Sequence, residues 1–159
     1  MRALAWNCRG ASRSPTNRAI KELICESCPN LVFLSETKLK SAGIDKIKAK
    51  LNFFDSYYVD VIGKAGGLAL FWRMGVNLEV VFSDDNAIVA LIYSDPVRSP
   101  WLLFCIYGPP RRAKRKRFWV KLEEMVKAFS RPWAVVGGFN SIKESGKKKK
   151  EDPMSLGVQ

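Results

Sequence analysis

Histidine is missing from all 159 residues. That absence excludes any mechanism in which this chain uses imidazole as base, acid or metal ligand. Acidic residues are scarce as well: 15 Asp and Glu stand against 27 Lys and Arg, leaving a net charge of +12. Cysteine occurs only at positions 8, 25, 28 and 105, too few and too scattered for a disulfide framework and suited to a reducing compartment. Cys25 and Cys28 have C-x-x-C spacing, but no second pair and no histidine completes a tetrahedral zinc site. Two small residues near a helix end is the plainer reading. No apolar run approaches the ~20 residues of a membrane span. The opening apolar stretch meets Asn7-Cys8-Arg9 too soon to serve as a secretory signal. The expected location is therefore nuclear or cytoplasmic, with no membrane partner.

What is present suits one globular domain. Hydrophobic residues make up 47% and charged residues 26%, and a chain this long buries roughly two-thirds of its unfolded surface. The positive charge is unevenly spread. Residues 1–110 hold 13 Lys and Arg against 10 Asp and Glu, whereas residues 111–159 hold 14 against 5. Such a balance attracts polyanions through counterion release, whatever their sequence; a solvated helix start and a disordered end is the alternative source of it.

The apolar pattern predicts a strand at 2–6, a helix at 16–27 and a compact strand at 31–34. A second helix is expected over 43–51, and strands over 56–62, 67–72, 77–82, 87–93 and 101–107. A long helix over 113–129 carries an apolar stripe of Phe118, Leu122, Met125, Val126 and Phe129. A last strand follows at 133–136. From 143 onward the periodicity disappears, so residues 1–142 read as the domain and 143–159 as a basic, disordered tail. Helices crossing between strands, with a meander in the middle, imply a layered α/β architecture with mixed sheets.

Polar groups stand where strands end: Asn7, Glu36, Tyr107 and Asn140. A rigid sheet fixes the side chains it delivers, so strand ends are where sites assemble. Each residue also has a plain structural role open to it. Asn7 can bind its own backbone, Glu36 can pair with Lys38, and Tyr107 can cap the core. The run Arg111-Arg112-Ala113-Lys114-Arg115-Lys116-Arg117 opens the long helix, where cations oppose the macrodipole. That placement favours a polyanion role for Arg111, Arg112, Lys114 and Arg115, either DNA backbone contact or nuclear import.

Six motifs come in order: Trp6-Asn7-Cys8-Arg9-Gly10, Leu34-Ser35-Glu36-Thr37-Lys38, Gly66-Gly67-Leu68-Ala69-Leu70-Phe71-Trp72, Ile106-Tyr107-Gly108-Pro109, Trp119, and Val136-Gly137-Gly138-Phe139-Asn140. Together they resemble the endonuclease/exonuclease/phosphatase superfamily, specifically the endonuclease domain of LINE-type (non-LTR) retrotransposons. The resemblance implies a four-layer αββα sandwich of two mixed β-sheets with outer helices. It also implies a Mg²⁺ site at one sandwich edge and DNA as partner. By matching position it makes Glu36 the Mg²⁺ ligand and gives Asn7 a supporting or phosphate-contacting role. Tyr107 would lie beside the scissile phosphate, and Asn140 would orient the attacking water or the developing oxyanion.

The departures carry as much meaning. Where the family has Gly-Asp-Phe-Asn, this chain has Gly137-Gly138-Phe139-Asn140, and glycine can neither accept a proton nor hold a water. Loss of general-base catalysis is worth ~10²–10⁴-fold. The family's later Asp-His motif has no counterpart. The expectation is a C-terminally truncated, catalytically impaired Mg²⁺-dependent endonuclease domain with an incomplete second sheet, able to associate through an unpaired strand edge. A weakly active nuclease relying on Glu36 and Asn140, and a basic non-catalytic nucleic-acid-binding module, are the rival readings.

Overall fold

The apolar runs and stripes become nine strands and three helices in the computed structural model, which describes residues 1–140 and 154–157. In chain order these are β1 (Arg2–Asn7), α1 (Ser14–Ser27), β2 (Leu31–Ser35), α2 (Ser41–Lys50), β3 (Asp55–Val59) and β4 (Leu68–Trp72). Then come β5 (Leu78–Asp84), β6 (Ala87–Ile92), β7 (Trp101–Tyr107), α3 (Arg112–Ala128), β8 (Trp133–Gly138) and β9 (Met154–Gly157). Three departures from the pattern have local causes. α1 starts at Ser14 because Pro15 fits a first helical turn, where its missing N–H would have had no partner. β3 stops at Val59 because Ile62 and Ala65 pair across a tight turn of their own. β9, whose four residues are too few to stand out as a strand by pattern, pairs with β1 inside the segment expected to be a basic, disordered tail and corrects that expectation there; the remainder of 143–159 is outside the described residues.

One sheet has the order β3-β4-β2-β1-β9 and the other β5-β6-β7-β8. Both are mixed. β1 and β2 run parallel, as do β7 and β8, while every other pairing is antiparallel. Each parallel pair is joined through a helix, the crossover that parallel strands require.

The sheets pack face to face through Phe33, Leu70, Ile88, Leu103 and Val136. α1 and α2 cover the outer face of the first sheet, setting Ile20, Ile24, Ile44 and Ile47 against Val32, Leu34 and Phe71. α3 covers the second sheet with its predicted stripe, packed on Val89, Phe104 and Ile106. The result is a four-layer αββα sandwich, which explains why β2 is buried on both faces and reads as an unbroken apolar run. α3 has no side-chain cap and no acid in its first turn, so the stripe rather than its ends holds it. Truncating the fully buried Phe104 to alanine would cost about 3–5 kcal/mol.

β8 pairs only with β7 among the described residues, and its outer edge carries no charge. Between the sheets lies an apolar cavity of about 220 Å³, lined by residues such as Met1, Ala3, Trp101 and Ala134 at the starts of their strands. The polar strand ends lie at the other end of the sandwich.

Candidate active site

β1, β2, β7 and β8 finish at one end of the sandwich. Register places Asn7 beside Ser35 and Tyr107 beside Gly138. Glu36 follows β2 directly in the left-handed conformation, φ 51°, and two flanking loops fix it there. From one side, Gly10 N–H donates to Glu36 O at 2.8 Å and Ala11 N–H to Thr37 O at 2.8 Å. From the other, Thr37 N–H donates to Gly67 O at 3.1 Å and Lys38 N–H to Gly66 O at 3.0 Å. Gly67 has to be glycine: φ is 89°, and a Cβ there would strike the buried Thr37 hydroxyl. The Gly66-Gly67 motif is thus a backbone brace for Glu36.

The side chains converge on that carboxylate. Asn7 Nδ2 donates to Glu36 Oε1 at 3.3 Å, and the Tyr107 hydroxyl donates to the same oxygen. Asn140 Nδ2 donates to Gly108 O at 2.6 Å, and its amide lies near enough to the Tyr107 phenol to favour the ionised form weakly. All four sequence-predicted strand-end residues therefore meet in one cluster. Burial is the main influence on Tyr107, followed by its bond to Glu36 and that residue's negative charge; together they hold the phenol well above its ordinary value. Asn140 and Arg9 pull weakly the other way. Tyr107 is consequently a neutral hydrogen-bond donor at any physiological pH. Behind Glu36 lies Cys8, whose Sγ–H points at Ser35 O, 3.2 Å away, and whose thiol burial pushes up to about 11.

The turn after β8 is shaped by close backbone approach. A Cβ on Gly108 would strike the Phe139 backbone, and one on Gly137 the carbonyl of Ile106. Gly138 differs from both. Its φ is unremarkable, and a Cβ there would meet nothing within 4 Å. Because registered neighbours in a sheet point to the same face, the vacant position lies beside Tyr107. Phe139 is anchored from α3 by Trp119, rings stacked with centroids 5.7 Å apart and planes 8° from parallel.

Of the basic run, Arg111, Arg112 and Lys114 are exposed, at the start of the helix that leaves β7 beside the cluster. Arg115 is partly committed: its Nε and Nη2 donate to Pro109 O and Pro110 O at 3.2 and 3.0 Å. Cys25 and Cys28 lie far from the cluster at the exposed C-terminal end of α1. Asn86 is a site-supporting residue that its sequence context marks only as a turn former. Its backbone carbonyl accepts from Tyr107 N–H at 2.7 Å, and its Nδ2 donates to Tyr107 O at 2.9 Å.

The donor set suits one hard cation shared with a substrate. Glu36 uses Oε1 for its two donors, and Oε2 remains for an ion among the described residues. Mg²⁺ commonly takes one or two carboxylates and completes its shell with water and substrate phosphate. The described residues contain no group of three or more His, Cys, Asp or Glu that could enclose an ion alone. No helix among them is long and apolar enough to cross a membrane.

Comparison with known proteins places this geometry in context. The model of the endonuclease/exonuclease/phosphatase family matches residues 4–153. No curated protein matches the sequence. Among solved structures, the human Nocturnin catalytic domain, which was determined with a bound sulfate anion, superposes with a TM-score of 0.64 at 16% identity, over 89% of this chain and 65% of that one. The Xenopus laevis APE2 catalytic domain gives 0.61 at 18% identity, over 89% of this chain and 59% of that one. A 3′–5′ exonuclease from Neisseria meningitidis gives 0.62 at 16%, over 88% and 58%. The chain thus spans less than two-thirds of each of these three.

Proposed function

The chain belongs to the endonuclease/exonuclease/phosphatase family, and from that premise we propose that it is a DNA-binding, nuclease-like domain of LINE-type retrotransposon origin whose phosphodiester hydrolysis is impaired at Gly138. One observation carries the reading: Asn7, Glu36, Tyr107 and Asn140 meet at one strand-end cluster, beside a position with room for a side chain and none in it. Glu36, with the Asn7 amide beside it, would hold Mg²⁺. When bound, that ion supplies Lewis-acid polarisation of a phosphoryl oxygen. The protein's own part is positioning. Tyr107 stays protonated and holds Glu36 in place, and Asn140 ties the turn after β8 to the end of β7. No carboxylate stands at 138 to take a proton from water.

Nicking of supercoiled plasmid under Mg²⁺ tests this reading. Wild-type protein should nick slowly, and Glu36→Ala should abolish both that nicking and any rise in melting temperature with Mg²⁺. Nicking indifferent to Glu36→Ala would overturn it. The exposed Arg111, Arg112 and Lys114 favour a second reading, a basic module that binds DNA without cutting. Salt-sensitive binding with no nicking at any Mg²⁺ concentration would select it.

A further inference from the structure

Cysteine is among the residue types most often buried, and Cys8 and Cys105 follow that rule. Cys25 and Cys28 break it: both are exposed, three residues apart where α1 ends. Packing therefore gives no reason for either. Backbone preference gives none for Cys28, which caps the helix in the left-handed conformation, φ 44° and ψ 56°. Glycine is the usual residue in that place and asparagine its usual substitute. A cysteine side chain there works against the backbone.

The pair is also held in place. Cys28 N–H donates to Ile24 O at 2.9 Å, and its Sγ–H turns back to Cys25 O, 3.4 Å away. The turn that follows is tied to the first strand. Arg2 N–H donates to Asn30 Oδ1 at 2.8 Å, Asn30 N–H to Arg2 O at 2.9 Å, and Arg2 Nη1 to Ser27 O at 3.1 Å. Arg73 N–H completes the brace, donating to Asn30 O at 2.9 Å. Residues three apart on a helix are surface neighbours, with Cβ atoms about 5–6 Å apart. Two sulfurs on such a braced pair can close on one ion with little left to order.

We infer that Cys25 and Cys28 form a binding site for a soft monovalent cation, Cu⁺, held between two thiolates. Thiolate ligands select soft ions, and coordination number narrows the choice. Among the described residues no group of three or more His, Cys, Asp or Glu exists to hold an ion. Zinc takes four ligands in a closed site and would be half-served by one chain, whereas two thiolates satisfy a two-coordinate ion. Binding exchanges both S–H protons for the ion and releases them to solvent. The carbonyl end of α1 favours a bound cation. The pair precedes the start of β2, whereas Glu36 follows its end, so this site is independent of the nuclease-like reading.

The test is a metal titration. Reduced protein is titrated anaerobically with Cu⁺ against bicinchoninate, a coloured chelator whose bleaching reports transfer of the ion. Wild type should take up one equivalent per chain and sediment as it does without metal. Cys25→Ser and Cys28→Ser should each lose that equivalent. Both positions are exposed, so melting curves of the metal-free serine variants should match wild type. Cys28→Gly should lose the ion as well, yet melt at a higher temperature than wild type, because glycine accepts the left-handed conformation freely. Uptake by Cys25→Ser equal to that of wild type overturns the site. A wild type that leaves Cu⁺ with the chelator overturns it too. If that protein instead takes one Zn²⁺ per two chains and sediments as a dimer, the pair belongs to a site shared between copies.

Discussion

Replacing Gly138 with aspartate tests the central argument most directly. A Cβ at 138 meets nothing within 4 Å and the backbone angle is ordinary, so the side chain enters without rearrangement. Two opposing effects then set stability. Glycine in a strand costs about 0.5–1 kcal/mol relative to a residue with a side chain. Against that gain, the new carboxylate stands beside Tyr107, whose hydroxyl bonds Glu36, and so adds a second negative charge to the cluster. Two carboxylates on the order of 8 Å apart at an effective dielectric of ~20 repel by about 2 kcal/mol. Without metal, Gly138→Asp should therefore be destabilised by about 1 kcal/mol, a fall of roughly 2–4 °C in melting temperature for a domain of this size. With Mg²⁺ held at Glu36 the deficit should shrink, because the cation offsets the repulsion between the two carboxylates; saturation to 100 times Kd contributes ~2.7 kcal/mol. Plasmid nicking should rise, but only toward the lower end of the ~10²–10⁴-fold that a general base supplies, since this chain has no imidazole to assist. Thermal melts with and without Mg²⁺, followed by single-turnover nicking, read both effects. A folded Gly138→Asp protein that binds Mg²⁺ and nicks no faster than wild type would refute the reasoning.

Other perturbations should separate structure from chemistry. Gly108→Ala places a methyl group into the Phe139 backbone and should cost about 3 kcal/mol or more by urea denaturation, whereas Gly138→Ala should stabilise by about 0.5–1 kcal/mol. The buried Cys8 thiol, raised from 9.0 to about 11, is protonated more tightly folded than unfolded. Its stabilisation is intact below pH 9 and lost as pH climbs toward 11. The loss is about 2–3 kcal/mol, and Tyr107 adds to it above pH 10; urea titrations on Cys8→Ala should show a flatter alkaline limb. Neutralising Arg111, Arg112 and Lys114 together should lower the slope of log K against log salt by roughly 2–3 for duplex DNA. Arg115→Gln should instead lower the melting temperature, because that side chain holds Pro109 and Pro110.

The sequence is most legible where one physical requirement acts alone. β2 announces itself because burial on both faces demands an unbroken apolar run, and α3 because its stripe must meet the second sheet. The four strand-end residues stand out because each is a polar group that closes or directly follows an apolar strand, where a rigid sheet delivers its side chains to one edge. What escapes the reading depends on distant partners. Asn86 looks like any turn residue until β6 and β7 pair and bring Tyr107 to it. β9 has too little pattern to suggest a strand and exists through backbone bonds to β1. Arg115 reads as one more cation of its run, and only the path of the Pro109-Pro110 loop diverts it to a structural role.

Arg9, Glu36, Lys38 and Asn140 all adopt the left-handed conformation, with φ of 47°, 51°, 54° and 46°. Each such residue costs on the order of 1 kcal/mol that glycine would not incur, so this one end of the sandwich carries a standing load of about 4 kcal/mol, a sizeable share of the margin by which a domain stays folded. A protein optimised for endurance alone would have glycine at these places, as it already has at Gly10, Gly66 and Gly67. The load is borne where the polar groups gather, which makes thermal tolerance and the readiness of the site competing quantities in this molecule.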